Sequence, residues 1–150
     1  MSGIFEKYRD TLVGKAVGEV WRGHDSVFLE CGEAGAVMRR DGLTDQLLGH
    51  YTVMMEGGWR IEDGASVMCE QSSDSAAWDA ISGRLAGSRI EDARLSADLA
   101  ELSVQLSGGL RVVSVTPAGE QPGWRIFDRR SVPGEEIWIK VKDGAIFEDR

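Results

Sequence analysis

The chain has 150 residues, 42% of them hydrophobic and 28% charged, with a formal net charge of −8. That size and balance suit one globular domain over residues 1–150 and argue against a disordered chain. The acid excess argues against a protein that tracks nucleic-acid phosphates, because Arg39-Arg40 and Arg129-Arg130 are the only adjacent basic pairs.

The apolar runs, such as VVSV at 112–115, are far too short to span a bilayer, so no membrane partner is expected. MSGIFEKYRD carries charges where a secretory signal has its apolar stretch, so export is not expected. Cys31 and Cys69 make no disulfide framework, and a cytoplasmic location suits them.

In chain order, IFEKYRDTL predicts a short N-terminal helix with Ile4, Tyr8 and Leu12 on one face, ended by Gly14. KAVGEVWR and SVFLEC read as strands around a turn-like GHD. Residues 32–50 fit no pattern well: glycine and aspartate punctuate AVMRR, and LTDQLL suits a turn or two of helix. YTVMME, WRIE and ASVMCE follow as strands. DSAAWDAISGRL at 74–85 is the best helix, with Asp74 or Ser75 as N-cap and Trp78, Ile81 and Leu85 on one face. Gly87 then stands where a left-handed cap residue is expected. RIEDARL, ELSVQLS, LRVVSV, WRIFD, EIWIKV and AIFE read as strands, with hairpins at SVQLS-GG-LRVVSV and IWIKV-KDG-AIF.

One phrase occurs twice, as GGWRIED at 57–63 and PGWRIFD at 122–128. LVGKAVGEV at 12–20 also matches LAGSRIEDA at 85–93 in its leucine, its glycine and the apolar position of Val17 or Ile90. Each match leads into an alternating strand ending in glycine, then a second apolar strand, then the tryptophan phrase. This shared order predicts an internal duplication, 12–73 and 85–150, joined by the helix at 74–85. The expected fold class is β-rich α+β. Two tandem strand-rich half-repeats pack as a curved sheet or a sandwich, with a short N-terminal helix and one connecting helix. Trp59 and Trp124 then anchor equivalent half-cores if each indole N–H finds an acceptor, and Trp78 packs its helix onto a sheet.

VWRG at 20–23, FLE at 28–30, YTVMMEGGWRIE at 51–62 and GWRIFD at 123–128 together resemble a group of small uncharacterised bacterial proteins. Proteins of that type look like the stand-alone accessory or immunity proteins that accompany bacterial toxins. The resemblance brings no catalytic residues. Cys31 departs from it by standing where an aromatic residue is more usual, and residues 33–50 match nothing in it.

Catalytic parts are scarce. His24 and His50 have no metal-ligand spacing, and His24-Asp25 reads as a turn between strands. Cys31 and Cys69 each adjoin a glutamate in an apolar strand, which suits inert buried thiols. No GxSxG, P-loop or strand-borne GxGxxG occurs. The carboxylate pairs Glu62-Asp63, Glu91-Asp92 and Glu135-Glu136 point to opposite faces of a strand and read as solvated or edge charges. The expectation is therefore a protein that is not an enzyme and holds no cofactor or metal. Its leading function is binding a cognate basic protein such as a toxin, as an immunity protein, through an acidic surface. Candidate partner-binding residues are Glu56, Glu62, Asp63, Asp41 and Asp45, with the segment 33–50. The alternatives are a small-molecule-binding or hydrolytic protein with a pocket between the halves, where His50 and Tyr51 supply polar groups, and a purely structural module.

Overall fold

The computed structural model describes residues 3–32, 36–39, 45–129 and 135–149. Helix α1 (Gly3–Leu12) leads into strands β1 (Val17–Gly23), β2 (Ser26–Cys31), β3 (Ala36–Arg39), β4 (Asp45–Leu48), β5 (Tyr51–Glu56), β6 (Trp59–Asp63) and β7 (Ser66–Glu70). Helix α2 (Ser75–Leu85) opens the second half, followed by β8 (Ile90–Leu95), β9 (Leu102–Leu106), β10 (Leu110–Ser114), β11 (Trp124–Asp128), β12 (Ile137–Lys142) and β13 (Ala145–Asp149). Two antiparallel sheets form a sandwich, one ordered β1-β2-β5-β11-β12-β13 and the other β7-β6-β10-β9-β8. β3 and β4 pair only with each other, so the stretch read as helical turns is extended at 45–48. No helix among the described residues is long and apolar enough to cross a membrane.

The halves do not keep to separate sheets. Each lays down a three-stranded meander in one sheet, β1-β2-β5 or β8-β9-β10, and sends its next two strands into the opposite sheet. Thus β11 pairs with β5, placing Trp124 opposite Met55 and Ile126 opposite Val53. β6 pairs with β10 in the matching register, placing Trp59 opposite Ser114 and Ile61 opposite Val112. The backbone bonds at the join are reciprocal as well. Gly14 N donates to Ile90 O and Gly87 N to Val17 O, both at 2.8 Å.

This interchange accounts for the repeated phrase one residue at a time. A Cβ on Gly58 would collide with the carbonyl oxygen of Val115, and one on Gly123 with that of Glu56. Only glycine allows so close an approach of backbones. The tryptophans that follow are 2% and 0% exposed, and each indole N–H finds a carbonyl in a turn of the meander. Trp59 Nε1 donates to Asp25 O at 3.0 Å, and Trp124 Nε1 to Ala100 O at 2.8 Å. The arginine turns outward, and Ile61 and Ile126 return to the core.

The helices obey the same relation. Phe5, Tyr8 and Leu12 of α1 and Trp78, Ile81 and Leu85 of α2 have identical spacing and form the packing faces. Phe5 meets the Trp124 ring edge-on at 6.2 Å, and Trp78 meets Trp59 edge-on at 6.4 Å. The α2 segment, read in the sequence as a connector, therefore also holds the place that α1 holds in the first half. Phe5 rather than Ile4 leads the buried face of α1.

Candidate interaction surface

With the core matched between halves, the places where the halves differ locate what the fold itself does not require. Three stand out: the excursion between β2 and β5, the outer faces of the two sheets, and the strand edges beyond the tryptophan strands.

In the second half, β9 turns into β10 through Ser107–Gly109. In the first half, the corresponding link runs from residue 32 to residue 50 and carries β3 and β4. Glu30, 2% exposed, fastens the end of that excursion to the sheet. Its carboxylate accepts from Gly49 N at 3.1 Å, Trp21 Nε1 at 3.1 Å and Thr52 Oγ1. Arg129 Nη1 in turn donates to Thr52 Oγ1, and Arg129 Nε lies 2.8 Å from Glu136 Oε2. Three acceptances on one buried carboxylate satisfy it without a catalytic partner.

The outer faces differ in kind. On the six-stranded sheet, Trp21 stacks on Phe28 at 3.6 Å, and Phe127 packs against Trp138 at 6.0 Å. At the positions equivalent to Trp21, Phe28 and Phe127 the five-stranded sheet has Arg94, Ser103 and Glu62, and Val67 lies opposite Glu62 as Trp138 lies opposite Phe127. Glu62 is 7% exposed. Its carboxylate accepts from Arg60 Nε at 2.6 Å and from the Arg111 guanidinium of the neighbouring strand. Those arginines hold its carboxyl below the usual glutamate range, the Arg111 hydrogen bond foremost, against the opposing effect of burial.

The edges differ most. In one sheet β12 is covered by β13, whereas in the other its equivalent, β7, is outermost. A bulge also interrupts β7, since Ile61 pairs with Cys69 but Glu62 with Val67. The extra residue turns two consecutive apolar side chains to solvent, Val67 at 49% and Met68 at 42% exposed. Ser73 closes the edge at Glu70, donating its N–H to Glu70 O and accepting from Glu70 N at its hydroxyl, both at 2.9 Å. At the end of this edge stand the exposed carboxylates Glu70 and Asp74, the latter capping α2 through Ala77 N at 3.0 Å, and Asp79 is exposed on α2, the helix that contacts β7.

Of the acidic residues singled out in the sequence, Glu56, Glu62 and Asp63 are divided between the two sheets. Glu56 is exposed at the end of β5, in the sheet opposite Glu62 and Asp63. Glu62 is buried rather than solvated, and Asp63 is paired to Arg84 at 3.1 Å. Asp41 lies outside the described residues, and Asp45 begins β4 opposite Arg39. The surface that sequence reasoning missed is Val67 and Met68, for which no local signal exists, because a bulge is set by the pairing strand.

Elsewhere, His24 takes a positive φ of 53° in the β1–β2 turn. His50 stacks on Tyr51 at 4.2 Å and meets Asp128 of the second half at 3.1 Å, where β5 pairs with β11. Buried side chains of both sheets pack together in one core. Both thiols are buried, and burial first, then Glu30, pushes the Cys31 thiol far up. Burial and Glu148 likewise raise the Tyr8 hydroxyl, which donates to Glu148 at 3.2 Å. Among the described residues no three His, Cys, Asp or Glu side chains converge as a metal would require. Comparison with protein-family models, curated proteins and solved structures finds no match.

Proposed function

We propose that this chain is a non-catalytic protein-binding protein, of the immunity type, that holds a basic partner such as a toxin along the β7 edge. The observation that carries the reading is the unequal treatment of two equivalent strands. β12 has a further strand beside it, and β7 offers the same position to a strand from elsewhere. Strand addition at a sheet edge supplies main-chain hydrogen bonds, with side chains on alternate positions giving selectivity. Val67 and Met68 supply apolar anchors, and Glu70, Asp74 and Asp79 supply the acidic rim that suits a basic partner. The net charge of −8 favours long-range attraction of such a partner.

The test is co-expression with the basic polypeptides encoded beside this chain in its own genome, followed by calorimetry on any complex. A defined stoichiometry is expected. Replacing Val67 and Met68 together by aspartate should weaken the complex by about tenfold or more, and added salt should slow association. Failure to bind any neighbouring product, together with thermal stabilisation by a small metabolite, overturns the reading in favour of a ligand-binding protein.

A further inference from the structure

Beside each tryptophan strand runs a shallow groove, and the two grooves are equivalent by the same interchange that relates the cores. The first, of about 250 Å³, is lined by Gly58, Trp59, Arg60 and Glu70 among others. The second, of about 270 Å³, is lined by Gly123, Trp124, Arg125 and Lys140 at the matching positions, with Lys142 and Glu56. Their charge differs sharply. In the first, Arg60 lies directly opposite Glu70 across the strands. In the second, Arg125 lies directly opposite Lys140. Like charges facing each other across an antiparallel pair destabilise it, and opposite charges stabilise it.

The second pair has no such opposite charge across the strands, and the acid lining its groove is Glu56. Among the described residues no carboxylate lies within ion-pair distance of Arg125, Lys140 or Lys142, in a chain with 25 acidic and 17 basic residues. Gln121 lines the same groove and uses its side-chain oxygen to accept from Asp143 N at 2.7 Å, which leaves its amide N–H groups as donors. Lys142 is held with its ammonium 4.7 Å from the Phe147 ring.

We propose that the groove between β11 and β12 binds the oxyanion of a small ligand, a carboxylate or a phosphate. Arg125 supplies the planar fork, and Lys140 and Lys142 supply point charge. Glu56 at the same groove and the acidic remainder of the chain disfavour a long polyanion, so the ligand is small. This site stands apart from the β7 edge and does not depend on it.

Amide chemical shifts followed during titration with inorganic phosphate, and separately with citrate, at fixed ionic strength test the proposal. Saturable shifts confined to β11, β12 and Gln121 are expected, and the stronger of the two responses identifies the anion class. Arg125→Gln should weaken binding by about tenfold or more. Lys140→Glu, which recreates the charge pairing of the other groove, should abolish binding while the protein stays at least as stable to urea. Shifts that appear equally around Arg60 and Glu70, or that survive Lys140→Glu, would identify plain salt screening and overturn the site. So would the absence of any saturable response to either anion.

Discussion

β6 and β11 carry the same phrase, sit in matching registers and bury matching tryptophans, yet their surroundings diverge one strand further out. Beyond β11 come β12 and then β13; beyond β6 comes β7 and, among the described residues, no further strand. The same division recurs on the outer faces, where Phe127 packs against Trp138 and its equivalent, Glu62, is locked between two arginines. The lesson is one of constraint. Positions that both halves must fill to close the sandwich are alike, and positions free of that demand differ.

The largest effects should come where the halves agree. Trp59→Ala and Trp124→Ala should each lower stability by about 3–5 kcal/mol in urea unfolding, and by similar amounts, because their burial and indole bonds match. A large loss at one site with little at the other would break the equivalence. Next come Gly58→Ala and Gly123→Ala, each expected to cost about 1–3 kcal/mol because a Cβ meets a backbone carbonyl that cannot step aside.

Smaller effects should come where the halves differ. Glu62→Gln should cost about 1 kcal/mol at neutral pH, a modest figure because Arg60 and Arg111 are both nearly half exposed and so screened by water. The folded carboxyl is held below its unfolded range, so its contribution is complete above the ordinary glutamate pKa of about 4.3 and fades as pH falls below it. Unfolding curves of the two proteins should therefore converge in acid. Least of all, aspartate at Val67 or Met68 should change the stability of the free protein by no more than about 0.5 kcal/mol, since both side chains already face water.

Most of the fold was legible because alternation marks strands with one wetter face, such as β9, β10 and β12, and apolar runs mark strands buried on both faces, such as β2 and β5. SVFLEC and YTVMME match β2 and β5 residue for residue, and both predicted hairpins form. The exchange of strands between sheets was not legible, since a period of two says which residues face inward but not which sheet they join. The likeness of the helices was hidden because Phe5, Tyr8 and Leu12 share spacing with Trp78, Ile81 and Leu85 but only one letter. The burial of Glu62 required knowing that Arg111 lies across from it, 49 residues later in the chain. The bulge that exposes Val67 and Met68 likewise depends on register with β6.

Hydrogen exchange of backbone amides in the isolated protein reaches the difference between β7 and β12 most directly. The account predicts that amides of β12, bonded on one side to β11 and on the other to β13, exchange only with global unfolding. Outward-facing amides among Ser66 to Met68 should exchange orders of magnitude faster. Equal protection of the two strands would contradict the open edge, and with it the surface assigned to a partner.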